Sequence, residues 1–232
     1  MPARLLDFAR AALGDLVAPL RCAACDEKLR TRSLLCRCCA DTVERWRGPD
    51  DPWAYAQFGG ALAQALRRLK YGARPDLGES IGQVVAAALP PCDIDLVVPV
   101  PVPYCRLVER GYNQAALIAR PIATRLGRRL EPLALWRAEG VKQASLGREE
   151  RLANVRGALA VRRPQAVRGR RVLLIDDVST TGATVQACRS VLLEAGARGV
   201  CAMVVARAGS PLEGSASLDA HGTHEVHGGH LW

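Results

Sequence analysis

VLLIDDVSTTGAT, Val172 to Thr184, sets an apolar run, an acidic pair and a hydroxyl-rich turn in succession. Val172, Leu173, Leu174 and Ile175 form an unbroken apolar run, the pattern of a buried strand. Asp176 and Asp177 follow where such a strand ends. Ser179, Thr180, Thr181, Gly182 and Thr184 then stand at the mouth of a predicted helix. A helix start lined with N–H groups, hydroxyls and glycine suits a phosphate. Carboxylates beside a phosphate cradle repel a purely anionic ligand, so the pairing makes sense for one that carries hydroxyls too. A ribose 5-phosphate offers both.

The flanking sequence reads as alternating helices and strands. Residues 61–71 and 77–89 look helical, and residues 94–100 look like a buried strand. A Pro-rich loop, PVPYCRLVERGYNQ, comes next. A helix is expected over 113–126, made irregular by Pro121. Short strands are expected at 132–136 and 158–161, with stronger ones at Arg171–Ile175 and Val200–Val205. This alternation predicts an α/β fold whose sheet is mostly parallel, with helices on both faces. Ligands in such sheets sit at the carboxyl ends of strands. The Asp176–Thr184 loop and the Pro101–Asn113 loop both emerge there. Arg106 and Arg110 in the second loop suit bidentate phosphate contact. The segment from Arg137 to Ala158 is long and polar, and it offers Lys142, Arg148 and Arg151 as further phosphate-binding groups.

A different chemistry precedes this region. Cys22-x-x-Cys25 and Cys36-x-x-Cys39 stand ten residues apart, the double-knuckle spacing of a tetrahedral zinc site. Four protein thiolates leave no open position, so the metal would be structural and would supply folding energy to a polar segment. Cys38 either takes the place of Cys36 or Cys39 as a ligand or stays free. Arg21, Lys28, Arg30, Arg32 and Arg37 surround the knuckles and point to contact with phosphate backbones. Trp46, Trp53 and Tyr55 follow, either to stack on bases or to pack in the core.

The chain has 232 residues, room for one medium α/β domain and a small appendage. Three parts are expected: an N-terminal helix and finger over 1–50, the α/β domain over 51–208, and a disordered tail over 209–232. Hydrophobic residues make up 49% but aromatics only 4%, so Leu, Val and Ala must fill the core. The first twenty residues suit a short amphipathic helix better than a signal peptide. No apolar run reaches the length of a membrane span. An odd count of nine cysteines without a secretory signal favours a reducing cytoplasm over a disulfide framework. Net charge is +9, and residues 209–232 contribute three acidic groups and no Lys or Arg, so the rest is more basic still. Such a balance favours a polyanionic partner. All four histidines fall in the tail, at 221, 224, 227 and 230, which excludes Ser-His or Cys-His catalysis in the body.

The stretch from Val172 to Thr184 resembles the signature of type I phosphoribosyltransferases, which bind 5-phosphoribosyl 1-pyrophosphate (PRPP). With the four-cysteine knuckle, LRRLKYGARPDLG, VPVPVPYCRLVERGYNQA and KQASLGREERLANVRGA, the chain resembles the ComF family over roughly residues 5–207. That resemblance implies a zinc finger joined to a type I phosphoribosyltransferase fold, and a link to the uptake and processing of transforming DNA. It implies that Asp176 and Asp177 hold the ribose hydroxyls, with Mg²⁺ on the ligand. Thr180, Thr181, Gly182, Ala183 and Thr184 would cradle the 5-phosphate, and Arg106 or Arg110 the pyrophosphate. Lys142 and Arg148 would belong to a loop that closes over PRPP. Expected partners are PRPP, single-stranded DNA and other competence proteins. Two readings compete: a transferase acting on PRPP, or a PRPP-sensing or single-stranded-DNA-binding module without transfer. No segment reveals an acceptor.

Overall fold

The computed structural model describes residues 20–48, 51–139 and 158–209. Among them the chain runs α1 (Arg37–Ala40), β1 (Trp53–Gln57), α2 (Gly60–Tyr71), α3 (Asp76–Ala88), β2 (Leu96–Pro99), α4 (Tyr104–Arg110) and α5 (Gln114–Leu126). It continues with β3 (Arg129–Leu130), β4 (Leu135–Arg137), β5 (Leu159–Val161), α6 (Pro164–Val167), β6 (Arg171–Ser179), α7 (Ala183–Glu194) and β7 (Gly199–Arg207). The expected N-terminal helix, the histidine tail, and Lys142, Arg148 and Arg151 lie outside the described residues.

Five strands form one sheet in the order β1-β7-β6-β2-β3, and every neighbouring pair is parallel. β4 and β5 form a separate antiparallel pair. Alternate residues of the central strands face opposite sides, as the two-residue period requires. Val97, Leu173, Ile175 and Met203 pack with Leu66, Ile81, Ile118 and Ile122 from α2, α3 and α5. Val98, Val172, Leu174 and Val204 pack on the other face with Val185, Cys188 and Leu192 of α7. Small aliphatic side chains thus fill both layers, as the scarcity of aromatics requires.

The structure differs from the sequence reading at several points. β6 runs on through Ser179, because Val204, Ala206 and Arg207 of β7 pair with Asp176, Val178 and Ser179. The acidic pair therefore lies inside the last turns of ladder rather than beyond it. The Pro-rich loop contains the short helix α4, and β1 occupies a sheet edge that local pattern did not announce. Pro121 sits within an unbroken α5.

α3 and α5 touch at glycines. A Cβ on Gly82 would stand 2.4 Å from the Ile118 carbonyl oxygen and 2.4 Å from Pro121 Cγ. Alanine gains about 1 kcal/mol over glycine in a helix, but overpacking against backbone costs about 1–3 kcal/mol. Gly82→Ala is therefore expected to lower Tm, and a thermal melt measures it. An unchanged or higher Tm would show that the two helices separate at little cost.

The cysteine segment is fastened to the body. Ala23 and Leu34 belong to the same apolar cluster as Leu62 and Leu66. Thr42 Oγ1 accepts a hydrogen bond from Ala61 N at 3.0 Å, and Arg68 pairs with Asp26 at 3.4 Å. No described helix is long and apolar enough to cross a membrane.

Candidate functional site

From the centre of the sheet the chain order diverges. β2 leads through α5 to β3 on one side, whereas β6 leads through α7 to β7 on the other. The loops after β2 and β6 therefore part, and the crevice between them is the place where open α/β sheets bind ligands. A cavity of about 260 Å³ lies there. Asp176, Asp177 and Thr184 line one wall, and Pro101, Arg106 and Arg110 line the other.

The acidic pair is deeply set. Asp177 is 2% exposed, and Asp176 Oδ1 accepts the Asp177 backbone N–H at 2.8 Å. Burial, then the neighbouring Asp177 charge, pushes the Asp176 carboxyl well above the usual carboxylate range. Lys70 Nζ stands 2.6 Å from Asp177 Oδ2. The two groups form an ion pair, and Lys70 remains partly open to solvent. A raised folded pKa means that ionising Asp176 opposes folding. The stabilising protonated form is fully present below the unfolded pKa and is lost as pH rises through the folded one. Asp176→Asn keeps the shape and the acceptor oxygen without the charge. It is expected to raise Tm by a few degrees at neutral pH, with the gain shrinking as pH falls. A gain that grows on acidification would contradict this origin.

The turn after β6 is built for a tight reversal. Gly182 caps α7 at φ +78°, a left-handed conformation that glycine adopts without strain. Thr181 Oγ1 accepts from Ala183 N at 3.4 Å. The first turn of a helix leaves its N–H groups without intrahelical partners, so α7 presents donors beside the carboxylates. On the opposite wall, Asn113 pins the loop after β2. Its side chain donates to Val100 O at 3.0 Å and accepts from Ala115 N at 2.9 Å. Arg106 pairs with Glu109 at 2.6 Å, and Arg110 donates to Gln114.

Three site residues escaped the sequence reading. Lys70 and its neighbour Tyr71, at the end of α2, both line the cavity. In the sequence Arg137 opens a long polar segment. It ends β4 and lines the cavity, with Nε buried and lacking a hydrogen-bond partner. For Lys70 and Tyr71 the usable signal is the segment LRRLKYGARPDLG, in which Gly72 and Pro75 mark the helix end just after them.

The Sγ atoms of Cys22, Cys25, Cys36 and Cys39 lie within 4.8 Å of one another, and Cys25 and Cys36 are 3.7 Å apart. Zn–S bonds of about 2.3 Å give a tetrahedral edge near about 3.8 Å, so the cluster is compatible with structural zinc. Cys38 is exposed and outside it. Cys36 and Cys39 flank one turn of α1, three residues apart and on one face, whereas Cys38 faces elsewhere. Burial works to raise the Cys22 thiol, but N–H groups of Cys25, Cys36 and Ala24 outweigh it and bring it to about 6. Burial, then neighbouring thiols, pushes Cys39 up.

Residues 113–225 match the family model for the phosphoribosyl transferase domain. The parallel sheet and its flanking helices have the type I phosphoribosyltransferase fold. Over most of its length the chain is similar to DNA utilization protein YhgH. It is 26% identical to the Escherichia coli K12 protein over 202 residues, covering 77% of this chain and 86% of that one. The Salmonella typhimurium LT2 protein is 26% identical over 199 residues, covering 76% and 85%. Among solved structures, glutamine PRPP amidotransferase from B. subtilis is 22% identical at a TM-score of 0.43. That alignment covers 60% of this chain and 30% of the other.

Proposed function

We propose that the cleft of the phosphoribosyl transferase domain binds PRPP with Mg²⁺, and that the protein acts in the uptake and processing of transforming DNA. One observation carries the reading: a buried carboxylate pair at the carboxyl end of the central strand, directly before a glycine-initiated helix. In this reading Asp176 and Asp177 accept hydrogen bonds from the ribose hydroxyls. Thr180, Thr181, Gly182, Ala183 and Thr184 hold the 5-phosphate at the start of α7. Arg106 and Arg110 face the pyrophosphate, and Arg106 exchanges Glu109 for it. Lys142 and Arg148 would close over the ligand from the segment between β4 and β5. Mg²⁺ would neutralise the leaving pyrophosphate. The Asp176 and Asp177 carboxylates offer the hard oxygens that such a cation takes, with Lys70 leaving Asp177 as it binds.

Transfer would displace pyrophosphate from C1 of the ribose, so the side chains need to orient and neutralise rather than form covalent bonds. Calorimetric titration of PRPP with and without Mg²⁺ tests the binding. Steady pyrophosphate release with a cellular acceptor would mark a transferase, and saturable binding without turnover a sensor or binding module. Absence of PRPP binding under both conditions would end the proposal.

The four-cysteine cluster is proposed to hold structural zinc. Nine cysteines with no disulfide among them fit a reducing cytoplasm.

Single-stranded DNA is the proposed macromolecular partner, with other DNA-uptake proteins. Lys28, Arg30 and Arg37 stand exposed on the finger. Several other basic groups are committed to carboxylates: Lys70 to Asp177, Arg163 to Glu131, and Arg171 to Asp93 and Asp95. Trp53 and Tyr55 pack against the core, which removes them as stacking platforms. Four or five phosphate contacts on a single strand predict a log–log salt slope near about −3. Reversing charge at Arg30, Arg32 and Arg37 is expected to flatten it, whereas reversal at Arg162, Arg163 and Arg168 tests the body. Affinity independent of salt would remove DNA from this reading.

A further inference from the structure

α4 buries none of its seven residues. A helix that short is not stable alone and normally owes its place to a packed apolar face. Here the face is turned outward: Tyr104 is 61% exposed, and Leu107 and Val108 are exposed with it. Across from α4, at the end of α2, Tyr71 is 76% exposed. These two tyrosines are the exposed aromatics among the large apolar residues described.

Between α2 and α4 lies a chamber of about 170 Å³, distinct from the carboxylate cavity but sharing Lys70, Tyr71, Arg106 and Arg110 with it. It is smaller than the roughly 300–1,000 Å³ of a drug-sized site, so it accommodates one ring system. Its inner wall is fixed, because the Tyr112 hydroxyl donates to the Leu69 carbonyl. The Arg110 guanidinium stands 5.5 Å from the centre of the Tyr71 ring, which orients that ring. Arg106 supplies positive charge, and Glu109, paired with it, supplies a carboxylate acceptor.

We propose that this chamber is a nucleotide subsite in which Tyr71 stacks an unpaired base while Arg106 faces its phosphate. An aromatic face beside cations is the arrangement by which proteins hold single strands without reading sequence. Glu109 matches the amino edge of a base better than a second phosphate. The same chemistry is offered by a free mononucleotide and by a base within a single DNA strand. Only the second source rests on the proposed handling of DNA.

The test compares a fluorescent oligonucleotide with the same strand carrying abasic sites, each titrated with wild-type, Tyr71→Ala and Tyr71→Phe protein. Stacking on one ring predicts a loss of roughly 5- to 150-fold for Tyr71→Ala on the base-bearing strand. Tyr71→Phe is expected to bind like wild type. The abasic strand is expected to bind weakly and to be indifferent to Tyr71→Ala. Competition by dCMP identifies a free nucleotide as the ligand, and its absence identifies the strand. Protein carrying Asp176→Ala and Asp177→Ala is expected to keep the base-dependent affinity even though it loses PRPP, so failure of the PRPP reading shows separately. Equal affinities for base-bearing and abasic strands, or equal losses of both in Tyr71→Ala, would overturn the proposal. Because Tyr71 is exposed, its variants are expected to fold, and circular dichroism checks this.

Discussion

Replacing Asp176 and Asp177 together by alanine is expected to weaken PRPP binding at least tenfold. Each carboxylate would accept charge-assisted hydrogen bonds from ribose hydroxyls, worth about 1.5–3 kcal/mol apiece. A tenfold change in affinity corresponds to about 1.4 kcal/mol, so loss of a single such bond already reaches the threshold. Part of the loss is returned, because Lys70 no longer has to leave Asp177. That release keeps the expected effect below the plain sum. Folding is not the obstacle. Asp176 is a buried carboxyl that disfavours its own charge, and Lys70 remains partly open to solvent. Calorimetric titration with Mg²⁺ and PRPP measures the effect, alongside a thermal melt to establish folding. Wild-type affinity in the folded double variant would refute the placement of the ribose.

Removing zinc is expected to have the other large effect. Freshly purified, reduced protein should contain one zinc per chain, and Cys25→Ser should lose it. Zinc-finger peptides gain about 10–16 kcal/mol from structural zinc, far more than a polar segment of this size gains from burial. The body is expected to stay folded with a lowered Tm, because Ala23 and Leu34 would leave the core they share with Leu62 and Leu66. Cys39→Ser should lose zinc as well, and Cys38→Ser should keep it, since Cys38 lies outside the cluster. Binding requires thiolates, and Cys39 is held protonated when no metal is present. Zinc uptake should therefore release protons and weaken as pH falls. Metal analysis of the variants decides the matter: full stoichiometry in Cys39→Ser would hand the fourth position to Cys38.

The parts of this molecule governed by near neighbours were legible in the sequence. The buried strand at Val172–Ile175, the glycine-capped helix after it, and the helices α2, α3 and α5 all carry their period or cap within one or two turns of chain. The paired C-x-x-C spacing is equally local, since each pair needs only its own turn. These features were enough to name a parallel α/β fold, a four-cysteine cluster and the acidic pair.

Tertiary structure decided what depends on groups distant in the chain. β6 extends past its apolar run because β7 supplies the ladder partners, and no local pattern encodes them. Lys70 reads as one more surface cation until the end of α2 is laid over the end of β6, where it meets Asp177. Arg137 becomes a site residue only when β4 turns it into the crevice. α4 hides behind its prolines and has no buried face, so hydrophobic period cannot reveal it. Sequence alone determined the fold class, the metal-type cluster and the carboxylates, because short-range period, turn chemistry and ligand spacing specify them. Which cations face those carboxylates, and which of Cys36, Cys38 and Cys39 join the cluster, was left to the folded chain. A charge acquires its partner only when packing brings distant segments together.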